Sequence, residues 1–322
     1  VSWILIGMPI GAVLLYLGSG WLVEGAKRLA IRLGVTPFLV GLTVVALGLS
    51  VPEVATALAS GHNPQMIIGN IVGSNIANVG LAIGLAAVIS PVVCRYAGTK
   101  FEIFSMLAAV LIVSLMALTG TFGHIEGAIL LIALFVFIYF TYRIKRNTPP
   151  RAGEAGYIEA VECKAPCLRR SALLVALGIL FLYLGAMAFI EGASELAKAL
   201  GMSHLMVGLV VVAVGVSLPE LCICIVAAYR GENEIMVSNI IGSIIFNCFF
   251  ALGAGVIFTA VEVTYYTLVF HLPVMVLMAA ILALLIKNRN GITRWGGAML
   301  VCIYSVYIAL MLIFPELTQG LI

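Results

Sequence analysis

Apolar segments of about 18 to 25 residues recur along almost the whole chain, the length a helix needs to cross a bilayer. They lie near 3–23, 36–60, 66–90, 101–119, 124–143, 171–190, 204–229, 235–259, 264–286 and 295–314, ten in all. Hydrocarbon offers backbone N–H and C=O groups no water, so such segments must satisfy their own hydrogen bonds as helices. Composition agrees: 63% of residues are hydrophobic and 10% charged, against about 25% charged in soluble domains. Net charge is +3 and no basic run reads as a nucleic-acid surface. The one long polar stretch, 144–170, holds Pro149, Pro150, Gly153 and Gly156 and reads as a linker. The first segment has no basic region before it and is read as a span rather than a cleaved signal.

The two halves on either side of that linker are copies. Tyr16-Leu-Gly matches Tyr183-Leu-Gly, and Glu24-Gly matches Glu191-Gly, at an offset of 167. The same offset carries Gly41 onto Gly208, Gly48 onto Gly215, Ser50 onto Ser217 and Glu53 onto Glu220. It becomes 169 for Asn70 and Asn239, Gly73 and Gly242, Ser74 and Ser243, and Asn78 and Asn247. Five spans per copy is an odd number, so the second copy must lie upside down relative to the first. Lysine and arginine test this, because cytoplasmic loops collect them. With the N-terminus outside, 16 of the 17 basic residues fall in inward loops, and only Lys198 falls opposite. The expectation is an all-α polytopic membrane protein. Its ten transmembrane helices form two inverted five-helix repeats (1–143 and 171–322) joined by a cytoplasmic linker (144–170), with both termini outside the plasma membrane. Inverted repeats are typical of secondary transporters, which bind their cargo near the midplane.

The chemistry concentrates in two matched signatures. Gly48-Leu-Ser-Val-Pro-Glu53 pairs with Gly215-Val-Ser-Leu-Pro-Glu220, and Gly69-Asn through Asn78 pairs with Ser238-Asn through Asn247. A carboxylate inside an apolar span is expensive and points to function. Pro52 and Pro219 cannot donate to the carbonyls of Gly48 and Gly215 and should kink the helix there, freeing main-chain oxygens. Ser50 and Ser217 add hydroxyls close by. Asn70, Ser74 and Asn78 recur at i, i+4 and i+8, one helix face, and Asn239, Ser243 and Asn247 repeat the pattern. Gly69, Gly73 and Gly242 would let helices approach closely. Every matched donor is a hard oxygen, which suits Ca²⁺ better than zinc or copper. Two carboxylates also neutralise one divalent ion. Asn70 and Asn239 are equally readable as ties between helices. Glu24 and Glu191, near helix ends, read as capping residues or partners of local cations, with a pathway mouth as the other reading, and His62, His124, His204 and His271 as interfacial. Cys222 and Cys224 read as packing, and Cys163 with Cys167 is a weak metal pair. No cofactor is expected. A hydrolase is disfavoured because Ser50 has no base to complete a mechanism, and a channel is disfavoured by the inverted repeat.

These doubled motifs resemble the α-repeats of the cation/Ca²⁺ exchanger superfamily, most closely its prokaryotic sodium/calcium branch, over essentially the whole chain. The resemblance implies a non-enzymatic antiporter in which Glu53 and Glu220 share Ca²⁺. Ser50, Ser74, Ser217 and Ser243 would be ligands, and Asn78 and Asn247 central polar residues. It also implies alternating access by sliding of spans 1 and 6. The sequence departs from the pattern at Leu49 and Val216, where threonines are usual and only main-chain oxygens remain. It departs again at Asn247, where an acid is common, and at Ser238, which replaces glycine. Gly73 in turn departs from proton/calcium exchangers, which carry glutamate there. The missing side-chain oxygens tilt the counter-ion towards H⁺ over Na⁺, since two buried carboxyls can exchange Ca²⁺ for protons unaided. The same ligands would serve Mg²⁺ or Mn²⁺. Expected partners are these ions and membrane lipid, and a monomer would hold a complete site.

Overall fold

A computed structural model describes residues 2–50, 65–146, 168–199, 215 and 217–318. Its helices are α1 (Ser2–Leu33), α2 (Pro37–Ser50), α3 (Gln65–Ala77, continuing through Asn78–Ile83 and Gly84–Ile89), α4 (Tyr96–Met116) and α5 (His124–Arg146). After the linker come α6 (Leu168–Ala199), α7 (Leu218–Arg230), α8 (Asn233–Phe246, then Asn247–Ala251 and Leu252–Val256), α9 (Thr267–Arg289) and α10 (Arg294–Ile313). Among the described residues, eight of these are long and apolar enough to cross a membrane. Glu53, Val216, Cys163, Cys167, His62, His204 and Gly208 lie outside the described residues.

Two short antiparallel pairings fix which helix ends share a face. β1 (Val92–Val93), after α3, pairs with β4 (Gly291–Ile292), between α9 and α10. β2 (Thr121–Phe122), between α4 and α5, pairs with β3 (Val261–Glu262), between α8 and α9. So α4 runs from the first pairing to the second and α9 runs back. The β1–β4 face gathers Arg95, Arg289 and Arg294. Because α8 ends at β3, the Arg230–Glu232 turn that precedes α8 lies on this face too, and Lys27 of α1 pairs with Glu232 there. Arg230 also donates to the Gly20 carbonyl at 2.9 Å.

Burial separates a core from a lipid-facing shell. The α8 window is 94% buried and the α3 window 78%, whereas α5 and α6 are each 28% buried. These two central helices carry the second signature. Helices in lipid gain little from burying leucine and pack instead through small residues that let backbones touch. In α1, Gly11, Gly18 and Gly25 recur every seven residues, and in α6 so do Gly178, Gly185 and Gly192. A Cβ on Gly11 would lie 2.7 Å from the Gly185 carbonyl oxygen, and one on Gly18 would lie 2.9 Å from that of Gly178. The seam is therefore antiparallel, and it is built from residues matched at the offset of 167. Gly84 of α3 meets Gly297 of α10, while Gly253 of α8 meets Gly127 of α5, again an equivalent pair of crossings.

Two expectations need correction. α1 and α6 run on to Leu33 and Ala199, so Glu24 and Glu191 are not helix-end caps. The apolar window ends where the helix leaves lipid, but i→i+4 bonding continues in water. Glu24 instead takes the other expected role, pairing with a local cation: it accepts from Arg28 at 2.6 Å, one turn on. His271 is fully buried rather than interfacial: Nδ1 lies 2.9 Å from the Tyr307 hydroxyl and Nε2 2.6 Å from the Leu317 carbonyl. The C-terminal turn folds back over α9 and covers it. His124 does sit at a helix start, with Nδ1 at 2.6 Å from the Ile257 carbonyl.

The seam gives a direct test. Gly178→Val places its side chain 2.7 Å from the Leu22 main-chain nitrogen. It is expected to destabilise the detergent-solubilised protein by about 1–3 kcal/mol, read as a lower unfolding temperature. A change of similar size at Gly120, whose added Cβ meets nothing within 4 Å, acts through its left-handed backbone (φ 82°) and serves as the contrasting case. Unchanged melting of Gly178→Val would show that the seam is not tightly packed.

Candidate cation site

The second copy of the Pro-Glu signature lies at a helix start. α7 begins at Leu218, so Pro219 falls in the first turn, where its missing N–H breaks no helical bond. The kink expected from the sequence is thus a break, with Ser217 turning the chain (φ −92°, ψ 8°) and its carbonyl accepting from Leu221 at 3.0 Å. Glu220 is held in that first turn, 1% exposed. There the unpaired N–H groups of the helix end favour a negative side chain. Ser217 occupies the N-cap, a position where serine normally accepts from the following backbone, yet it makes no such bond.

Ser217 is not alone in this. Buried polar atoms in proteins are nearly always hydrogen-bonded. Here Ser50 Oγ, Ser217 Oγ, Ser243 Oγ, Glu220 Oε2, Asn247 Oδ1 and both polar side-chain atoms of Asn78 and Asn239 are buried without a partner. All of these belong to the two signatures; outside them, Thr141 Oγ1 of α5 is also buried without a partner. The signature atoms come from α2, α3, α7 and α8, which pack on one another. Gly242 of α8 lies so close to α2 that a Cβ would stand 2.7 Å from the Leu42 carbonyl oxygen. Asn247 Nδ2 donates across to Asn75 Oδ1 of α3 at 3.2 Å. Ser74 is buried as well, Leu49 is buried at the end of α2, and Gly48 and Asn70 are half-buried. Gly48 and Gly215 both lie under α6, where any Cβ would collide with Ile179 and Ile190 respectively. Ser238 spends its hydroxyl on the Ile235 carbonyl at 3.1 Å.

Two local features were not read from the sequence. α3 and α8 each widen into a π-helical turn, and the turns begin at Asn78 and Asn247, the matched asparagines. Such bulges frequently occur at functional sites because they leave a carbonyl without its usual partner. The second is Asn75, 1% exposed and bonded to Asn247. Its counterpart at the offset of 169 is Ile244, so a search for matched polar positions passes over it. Glu102 of α4 is another buried acid outside the signatures, standing at the position that His271 occupies in the second half. Cys224 is buried and Cys222 half-buried within α7, as packing residues would be. Among the described residues no three His, Cys, Asp or Glu side chains cluster as a metal site. The donor set is hydroxyl, amide and carboxylate oxygen.

A polytopic helical bundle with unpaired oxygens at its centre defines a membrane transporter rather than an enzyme. The chain belongs to the sodium/calcium exchanger protein family, whose model matches residues 3–143 and 170–313. It is 35% identical to the membrane protein MJ0091 of Methanocaldococcus jannaschii, over 93% of this chain and 95% of that one. It is 29% identical to the sodium/calcium exchanger MaX1 of Methanosarcina acetivorans, over 94% and 96%. Its fold is similar to the solved sodium/calcium exchanger of Methanococcus jannaschii, with a TM-score of 0.82, 31% identity, and coverage of 95% of this chain and 98% of that one.

The unpaired hydroxyls make a prediction that separates binding from folding. A buried hydroxyl without a partner destabilises the fold, so its removal costs nothing there. Ser217→Ala and Ser243→Ala are expected to be as stable as the parent in chelator or more stable by up to about 1 kcal/mol, read as an equal or higher melting temperature. If these oxygens hold a cation, both variants should gain less stability than the parent on addition of Ca²⁺. Melting well below the parent in chelator would mean that these hydroxyls support the fold.

Proposed function

We propose that the chain is a secondary-active antiporter that exchanges Ca²⁺ for a monovalent cation. The observation that carries this reading is the cluster of buried, unpartnered oxygens that the two signatures bring together from α2, α3, α7 and α8. A hard cation with six to eight oxygen ligands is the partner such a set fits. Glu220 and its sequence match Glu53 supply the two carboxylates that neutralise it. Ser50, Ser74, Ser217, Ser243, Asn78 and Asn247 supply neutral oxygens, and main-chain carbonyls from Gly48, Leu49, Gly215 and Val216 complete the shell. Asn70 and Asn239 belong at its margin. The antiporters among its relatives, MaX1 above all, support the same reading.

The packing supports alternating access by movement of α1 and α6. α1 and α6 form one antiparallel unit, and its outer surface is lipid. Its inner surface meets the signature helices through Ile179 and Ile190 over Gly48 and Gly215. A glycine seam makes that unit stiff, so it slides as a body and exposes the site to one side and then the other. The architecture behind this is two inverted repeats, 1–143 and 171–322, with the linker and the basic β1–β4 face in the cytoplasm and both termini outside.

For the counter-ion the residues favour H⁺. Leu49 and the missing acid at Asn247 remove side-chain oxygens that extra Na⁺ sites would need, whereas two buried carboxyls take up protons readily once Ca²⁺ leaves. Na⁺ is the second reading, favoured by the sodium/calcium exchangers among the relatives. Uptake of radioactive Ca²⁺ into proteoliposomes decides between them, with an outward H⁺ gradient in Na⁺-free buffer set against an outward Na⁺ gradient at equal pH. Uptake driven by H⁺ alone is expected, and uptake driven only by Na⁺ would replace H⁺ in the scheme. Competition by Mg²⁺ and Mn²⁺ in the same assay sets divalent selectivity. Glu220→Gln and Glu53→Gln are each expected to lower Ca²⁺ uptake by at least about a hundredfold, because breaking a buried charge pairing is worth roughly 3–5 kcal/mol. Substantial uptake by either variant would remove that carboxylate from the site.

A further inference from the structure

Asn247 is the one signature asparagine whose two amide atoms are treated differently. Its nitrogen donates to Asn75 Oδ1 at 3.2 Å, while its own oxygen is buried without a partner. An amide can turn over, and which end faces a cation matters, since oxygen binds it and N–H₂ repels it. What sets the direction lies one residue further back. Asn75 directs its nitrogen at Cys248 Sγ (3.4 Å) and Met275 Sδ (3.5 Å). A thioether has no hydrogen to donate, so the Met275 sulfur takes only the N–H₂ end, and the Cys248 sulfur can accept from the same end. Asn75 must then present its oxygen to Asn247, and Asn247 must answer with nitrogen. Were Asn247 reversed, two carbonyl oxygens would face each other at hydrogen-bond distance.

We propose that Asn75 is a positioning residue for transport: it fixes the amide of Asn247 so that the oxygen faces the cation and the nitrogen faces away. The relay runs Met275 and Cys248, then Asn75, then Asn247, then the ion. It is a property of one half of the molecule only, because the equivalent of Asn75 is Ile244, and Asn78 makes no such bond. Asn247 thereby acts as an oriented neutral ligand at a place where a carboxylate, with two equivalent oxygens, would need no orientation. This rests on the Ca²⁺ reading above.

That difference supplies the test. Asn75→Leu keeps volume but removes the acceptor. In reconstituted proteoliposomes it is expected to raise the half-saturating Ca²⁺ concentration about tenfold with a smaller effect on maximal rate. Asn247→Asp presents an oxygen whichever way it turns, so in that background Asn75→Leu is expected to change half-saturation by less than about twofold. If Asn75→Leu does not fold, Asn75→Ala carries the same two expectations. A tenfold loss in both backgrounds would make Asn75 a packing residue and overturn the inference, as would an unchanged half-saturation in the parent background. Absence of Ca²⁺ uptake by the unaltered protein would overturn the Ca²⁺ reading and this inference together, whereas the two preceding outcomes leave that reading intact.

Discussion

Inside a bilayer there is no water to satisfy a stray polar group, and this constraint organises the protein. Backbone groups are paired within helices, and hydroxyls such as those of Ser105, Ser114 and Thr43 bond back to the preceding turn. Against that background the unpaired oxygens of Ser50, Ser217, Ser243, Glu220 and Asn247 stand apart. Ser238 shows what an ordinary buried serine does in the same helix as Ser243, by bonding to Ile235. Oxygens kept free at such a depth make sense when a cation pairs them part of the time.

Keeping polar atoms free requires a scaffold that will not collapse onto them. The central helices achieve this by close contact elsewhere: Gly242 against Leu42, Gly84 against Gly297, and Gly253 against Gly127. These contacts bring backbones together where no side chain intervenes, and so fix the separation of the helices that face the site. The α1–α6 seam is built from the same element, glycine every seventh residue, but it joins two peripheral helices to each other. It joins α1 and α6 backbone to backbone along the edge of the core. At its basic end that unit is tied down by Lys27 on Glu232 and by Arg230 on the Gly20 carbonyl, contacts that lie outside the hydrocarbon and can exchange with water.

Much of this was legible in the chain. Period and length marked the spans, and most helices lie within a few residues of their expected place, because hydrocarbon thickness sets the apolar run. The duplication located Glu220, Ser217, Ser243, Asn239, Asn247 and their partners, because polar residues matched across two apolar halves rarely coincide by chance. What a span-length window missed were the polar continuations of α1 and α6, where helix outruns membrane. What the search for matched positions missed were the unmatched ones. Asn75 faces Ile244 in the alignment, and Glu102 faces His271, so neither registered as a pair.

The sequence by itself determined that the protein is a membrane bundle, that its halves are copies, and which residues carry oxygen into the apolar interior. Those facts follow from hydropathy and identity, which are properties of residues one at a time. Which oxygens stay unpaired, which helix crossings glycine permits, and which way the amide of Asn247 points were decided only in the tertiary structure. Each depends on the distance to a group far away in the chain, such as the 3.2 Å between Asn247 and Asn75 or the carbonyl of Gly185 opposite Gly11. No local pattern encodes that distance; packing sets it.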